Sequence, residues 1–233
     1  CYYPLTPSPD DNFKQVMDEN INQWFCMDVL SRGYYPTYME SFFKSQGIEF
    51  ERLPEDLADL KRYTCDFVSF SYYQSSISSV EEGEKTAGNL VVTTKNPYLK
   101  ATEWGWQIDP VGLRTTLNKV YDRYQKPVLI SENGLGYRDE INDKEEILDS
   151  YRIDYLSRHF QQIEYAVGDG VDVMGYIMWG IIDIVSAGSC EMEKRYGVVY
   201  VDADNHMNGS YRRIKKQSFA WYKKFIKEQR HYE

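Results

Sequence analysis

Glu132 lies in the string Ile130-Ser131-Glu132-Asn133-Gly134, directly after the apolar run Pro127-Val128-Leu129. The run reads as a buried strand that opens into a turn at Asn133-Gly134. Its glutamate is then a carboxylate at a strand's carboxyl end, where parallel sheets and barrels gather their chemistry. An ionised carboxylate at such a tip can attack a sugar carbon and form a covalent glycosyl-enzyme. The same five residues also read as a plain turn signal with Glu132 solvated beside it.

Several elements must position this carboxylate. Ser8 reads as the cap of a helix with Pro9 in its first turn, and Phe13, Val16, Met17 and Trp24 fall near one face. A short helix follows Pro54, marked by Leu57 and Leu60. Cys65–Tyr73 is rich in β-branched and aromatic residues and predicts a strand. Residues 75–105 read as a long excursion that holds short strands. From Asp109-Pro110 a helix carries Leu113, Leu117, Val120 and Tyr124 at steps of four, three and four. Asp143 with Glu146 resembles a capping box ahead of a helix bearing Ile153, Leu156, Phe160 and Ile163, which Gly168-Asp169-Gly170 stops. Val171–Ile182 predicts a buried strand ending in Trp179-Gly180. A hairpin around Val198–Asp202 and Asn208-Gly209 precedes a last helix from about Tyr211 to Glu228. Strands alternating with helices imply βαβ units and a parallel sheet. Only three strands are clear, too few for a closed eight-stranded barrel.

Bulk properties bound the function. The 233 residues are 42% hydrophobic and 27% charged, the balance of a folded chain. A net charge of −9 argues against non-specific binding to nucleic acid. Any anionic ligand needs a local basic site. Cys1, Cys26, Cys65 and Cys190 form neither a disulfide framework nor a zinc set and read as reduced thiols in a cytoplasmic protein. His159, His206 and His231 are too scattered for a metal motif. No membrane-spanning run or leader peptide is evident, and a start at Cys1 predicts that the natural amino terminus is missing. No repeat or linker divides residues 1–233, so they are expected to belong to one domain.

The segments CYYPLTPSPDD, DVLSRGYYPTYM, CDFVSFSYY, KNPYLKATEWGWQIDPVGLR, KPVLISENG, DGVDVMGYIMWGIIDIVSAG and KRYGVVYVD together resemble glycoside hydrolase family 1, specifically its 6-phospho-β-glucosidases. The resemblance implies an α/β fold of the (β/α)8 TIM barrel type, with this chain as the carboxyl-terminal part of a single catalytic barrel, covering only its later β/α units. It implies a retaining hydrolase of 6-phospho-β-D-glucosides that needs no metal or organic cofactor and works in the bacterial cytoplasm. The family's Asn-Glu-Pro motif, which carries the acid/base glutamate, is absent from this sequence. The expected partners are therefore the phosphorylated sugar and either the missing amino-terminal half or a second copy, with no nucleic acid and no membrane. The isolated chain is expected to be inactive. Rival readings are a non-catalytic fragment or pseudoenzyme that binds phosphosugar, a β-glucosidase, and a 6-phospho-β-galactosidase.

Residue by residue, the resemblance makes Glu132 the nucleophile and Tyr73 the phenol that hydrogen-bonds it. Trp179 matches the tryptophan under the sugar ring and Trp106 one on the leaving-group side, with Trp104 structural. Ordinary β-glucosidases of the family carry a Glu-Trp pair where this chain has Ser186-Ala187. A carboxylate about 4 Å from a phosphate would cost on the order of 4 kcal/mol at an effective dielectric of 20, whereas a serine donates a hydrogen bond. Lys194 and Tyr196 match the remaining phosphate ligands, with Ser189 a less fitting donor. Ala187 stands where the related 6-phospho-β-galactosidases have tryptophan, which favours glucosides. Without the resemblance, Tyr73, Trp106 and Trp179 read as core aromatics and Lys194-Arg195 as a solvated basic pair.

Overall fold

The computed structural model describes residues 1–87 and 92–229, so Gly88–Val91 of the excursion and His231 lie outside the described residues. The amino-terminal part is β1 (Tyr2–Pro4), α1 (Pro9–Glu19), a π-helical turn (Asn20–Trp24), α2 (Phe25–Arg32), α3 (Thr37–Gln46) and α4 (Pro54–Arg62). Ser8 caps α1 as expected, its hydroxyl accepting the Asp10 N–H at 3.2 Å. The face of α1 is not the expected one. Phe13 and Val16 are exposed, while Asp11 and Glu19 are buried; of the expected residues Trp24, in the π-helical turn, is buried. The acids are drawn inward by partners distant in sequence. Asp11 accepts from Thr6 and from the Val80 N–H, and Glu19 pairs with Lys119 at 2.5 Å.

The predicted Cys65–Tyr73 strand shortens to β2 (Val68–Ser71). The excursion contributes β3 (Ser76–Ser78), β4 (Lys85–Ala87) and β5 (Val92–Thr94), which join β1 in a sheet of order β1-β3-β5-β4. Helix α5 (Pro110–Tyr124) follows, capped by the Asp109 carboxylate accepting the Gly112 N–H at 2.8 Å. Its Leu113, Leu117, Val120 and Tyr124 are all buried, as their spacing predicts. Next come β6 (Val128–Asn133), α6 (Ser150–Gly168) and β7 (Val173–Met178). β2, β6 and β7 form a parallel sheet in that order, so β2-α5-β6 and β6-α6-β7 are successive β/α units. Val68, Phe70, Val128 and Ile130 pack with the apolar face of α5 into one core.

Two expectations fail here. β7 is shorter than Val171–Ile182, and it is not a buried strand: Met174 is 54% and Ile177 53% exposed. It is an edge strand, paired among the described residues with β6 alone. The Asp143–Glu146 box caps no helix. Asn142 instead closes a turn, its side-chain oxygen accepting from the Lys144 and Glu146 N–H groups at 2.9 Å, with Glu145 at φ 59°. The helix begins only at Ser150.

The expected hairpin is β8 (Val199–Val201) with β9 (Arg213–Lys215), antiparallel, followed by α7 (Gln217–Gln229). Tyr211–Lys215 therefore ends the hairpin rather than starting the helix. Leu135, Tyr155, Leu156, Met178 and Val198 form a second core under α7. No described helix is long and apolar enough to cross a membrane. The four cysteines are free thiols.

His159 on α6 is fully buried between the rings of Tyr155 and Tyr72. Its Nδ1 meets the Tyr155 carbonyl at 2.7 Å, and its Nε2 has no partner. Burial holds its pKa down at about 4, below the ordinary 6.5. The folded state thus resists the proton that the unfolded chain takes up. This contribution is complete above about pH 6.5 and fades towards pH 4, about 3 kcal/mol in all. Urea unfolding across that range should lose this slope in His159→Gln.

Candidate active site at the strand tips

β2, β6 and β7 end on the same side, and Tyr73, Glu132 and Trp179 stand at or just past their tips. The β2–β6 register shifts between Phe70 and Ser71, so Phe70 faces Ile130 while Ser71 faces Glu132. A bulge of this kind re-aims a side chain where pairing ends. The Tyr72 N–H bonds the Glu132 carbonyl at 2.8 Å. The next residue, Tyr73, donates its phenol to Glu132 Oε2 at 3.0 Å. Burial and this carboxylate raise the Tyr73 pKa, so the phenol keeps its proton and serves as a fixed donor.

Asn133 is more than the turn residue of the sequence reading. It is fully buried. Its Nδ2 donates to the Tyr72 carbonyl at 2.7 Å and the Tyr155 hydroxyl at 2.9 Å, and its Oδ1 accepts from Tyr176 at 2.8 Å. Its carbonyl takes the Trp179 N–H at 2.8 Å, which ties the tips of β6 and β7. Trp179 is half-buried beside Gly134.

From Tyr73 an aromatic wall leads away. Trp106, buried, meets the Tyr73 ring edge-on at 5.2 Å and the Tyr196 ring at 6.3 Å. The Tyr196 hydroxyl and Ser186 Oγ are 3.2 Å apart and both residues are buried. Lys194 is only 3% exposed, and its ammonium stands 3.9 Å from the Trp106 ring centroid. Burial lowers its pKa. No ion pair among the described residues includes Lys194. A Cβ on Gly136 would come within 2.9 Å of Lys194 Cε, so this glycine lets the lysine cross the turn that follows Glu132. Ala187 is exposed beside Ser186. Trp104, expected to be structural, donates its indole N–H to Glu191 Oε2 at 2.8 Å.

A buried charge cluster underlies this wall. Arg152 uses all five N–H donors. They reach Asp149 and Asp139, each at 3.0 Å, and the carbonyls of Leu135, Arg195 and Tyr196. Lys216 pairs with Asp139 and, at 2.7 Å, with Asp183. Burial pushes the Asp183 carboxyl up. Burial also opposes ionisation of Asp139, but Arg152 and Lys216 hold it below the usual carboxylate value. Asp183 also accepts the Gly197 N–H at 2.9 Å, and a Cβ on Gly197 would sit 2.6 Å from the Asp183 nitrogen.

The family description Glycosyl hydrolase family 1 matches residues 1–231. The chain belongs to glycosyl hydrolase family 1. Aryl-phospho-beta-D-glucosidase BglH of Bacillus subtilis is 50% identical over 226 residues, covering 96% of this chain and 48% of that protein. A 6-phospho-beta-glucosidase of Dickeya chrysanthemi is also 50% identical with the same coverage. The family 1 β-glucosidase structure from Thermotoga maritima superposes with a TM-score of 0.79 at 27% identity, covering 97% of this chain and 48% of that one. The chain spans about half the length of the curated relatives it matches, and its β/α units are part of a (β/α)8 barrel.

The sequence reading missed Asn133, Glu191 and Arg152 in this family 1 site. For Arg152 the one local hint is Asp149 three residues before it; Asp139 and the three carbonyls lie far off in sequence. Replacing Arg152 by Met takes the guanidinium away from two buried carboxylates and leaves three carbonyls without their donor. It should cost about 3–5 kcal/mol of unfolding free energy, read from the urea midpoint. Arg152→Lys should recover little, since an ammonium supplies three donors.

Proposed function

We propose that the protein hydrolyses 6-phospho-β-D-glucosides with retention of configuration, and that residues 1–233 are the carboxyl-terminal part of its single catalytic barrel. The observation that carries this reading is Lys194. Its ammonium is buried against Trp106, without a carboxylate partner among the described residues, on the same wall as the Ser186–Tyr196 hydroxyl pair. A buried cation left unpaired is costly, and a phosphate dianion supplies the missing charge. The ~50% identity to phospho-β-glucosidases supports the same substrate class.

Glu132 then attacks the anomeric carbon. The Tyr73 phenol donates the hydrogen bond that orients it. Trp179 gives the sugar a flat apolar face and Trp106 walls the pocket. Ser186 and Tyr196 donate hydrogen bonds to the phosphate and Lys194 neutralises it. Ala187 leaves open the space that a bulkier residue would fill, which favours glucosides over galactosides. Phosphorylated sugars and free thiols both suit the cytoplasm. Lys194→Ala should raise KM for a chromogenic 6-phospho-β-glucoside about tenfold to a hundredfold, the weight of a charge-assisted hydrogen bond, and leave the unphosphorylated glucoside unaffected. An equal effect on both sugars would favour an ordinary β-glucosidase.

Retention needs a second carboxyl group, about 5–5.5 Å from the nucleophile, to protonate the leaving oxygen and then activate water. We infer that a segment outside these 233 residues supplies it. The 233-residue chain alone should give no turnover, and activity should return on mixing with a polypeptide that carries the Asn-Glu-Pro glutamate. Turnover by the unassisted chain would sink this assignment.

A further inference from the structure

The phosphate reading leaves Glu191 without a task. It stands beside a cation that has no ion-pair partner, yet it makes no ion pair with it among the described residues. Its carboxylate is committed elsewhere. Oε2 accepts the Trp104 indole N–H at 2.8 Å, across 87 residues of sequence. Ser189 and Trp104 hydrogen bonds, with Lys194 nearby, hold its pKa below the ordinary glutamate value. Its backbone carbonyl accepts the Ser186 N–H at 2.9 Å, and the Cys190 N–H closes the same turn on the Ser186 carbonyl at 2.9 Å. One residue therefore joins the turn that presents Ser186 to the loop that presents Trp104.

Trp104 in turn faces Lys194. The ammonium lies 5.4 Å from the Trp104 ring centroid, 3.9 Å from that of Trp106 and 6.0 Å from that of Tyr196. Three aromatic faces thus surround a nearly buried cation, which they attract through their quadrupoles. Arg138 stands 5.7 Å from the Trp104 centroid and is held by Glu103 and Glu193. Trp106 is fixed by packing against Tyr73 and Tyr196. Trp104 is only half-buried, and its indole N–H is tied to the Glu191 carboxylate.

We propose that Glu191 is a positioning residue for the phosphate-binding lysine: it latches Trp104 through the indole N–H, completes the aromatic box around Lys194, and leaves the ammonium free for an anion. The inference rests on the phosphate reading above. A glutamate aimed directly at Lys194 would compete with the phosphate. A glutamate turned onto Trp104 orders the site and vacates the cation.

Titration calorimetry of the full chain with glucose 6-phosphate tests this. Glu191→Ala and Trp104→Phe should each weaken binding about tenfold, the scale of one charge-assisted hydrogen bond. The double variant should be no worse than either single one, since both break one interaction. Glu191→Gln, which keeps an acceptor for the indole, should restore affinity close to that of the unsubstituted chain. Additive losses, an unaffected Glu191→Ala variant, or tighter binding by Glu191→Gln would each overturn the latch. Tighter binding in particular would mean that the carboxylate acts as a repulsive charge. If the unsubstituted chain does not bind glucose 6-phosphate, or Lys194→Ala binds it equally well, the phosphate reading itself fails and the inference falls with it.

Discussion

Arg152 is the interaction on which the rest of the site depends. Its guanidinium sits in a cluster of three acids and three bases, Asp139, Asp149 and Asp183 against Arg152, Arg195 and Lys216, all nearly or fully buried. A neutral buried cluster of this kind is weak support for stability, because desolvation offsets most of the Coulomb gain. Its effect is geometric. Leu135 lies three residues after Glu132, and Arg195 and Tyr196 follow Lys194 directly. One planar group with five fixed donors thus sets the distance between the strand tip that presents the carboxylate and the segment that presents the cation.

The electrostatics of the mouth follow from this frame. The whole chain carries −9, yet long-range repulsion is screened within about 8–10 Å at physiological salt. A local cation in a dry aromatic setting decides whether an anion enters. Lys194 is such a cation: aromatic rings face it, and the nearby Glu191 carboxylate is turned onto the Trp104 indole. The Glu132 carboxylate lies at the other end of the wall, with Tyr73 between it and Trp106. Opposite charges are therefore kept apart by uncharged aromatic surface, and each remains available to a ligand instead of neutralising the other.

Much of this was legible because it is local. Strand runs, the Asp109-Pro110 start of α5 and the Ser8 cap depend on near neighbours, and the hydrogen bond between Tyr73 and Glu132 was expected from the family motifs. What was illegible depends on partners distant in sequence. Asn133 looks like a turn residue until Tyr72, Tyr155 and Tyr176 converge on it. Asp11 and Glu19 look solvated until Val80 and Lys119 arrive. The Asp143–Glu146 spacing fits a cap, but Asn142 takes the Glu146 N–H that such a cap needs, and the backbone leaves the helical region at Glu145. β7 reads as buried because Val, Met, Ile and Tyr are what a central strand needs; its exposure depends on which strand lies beside it, and no local pattern reports that.

That exposed strand joins the architecture to the chemistry. A closed barrel has no edges, whereas β2 and β7 each pair with β6 alone among the described residues. Beside β7, a groove of about 1150 Å³ is lined by Phe160, Ile163, Tyr176, Trp221 and Phe225. Aromatic and branched residues at a strand edge are what a neighbouring β/α unit would cover. Family 1 barrels hold their reacting groups at the carboxyl ends of strands, so a unit that pairs with an open edge brings its own strand tip towards Glu132. Under the proposed function, covering the apolar groove and supplying the second carboxyl group become one event. Retention then requires the completed barrel to hold the second carboxyl group about 5–5.5 Å from Glu132.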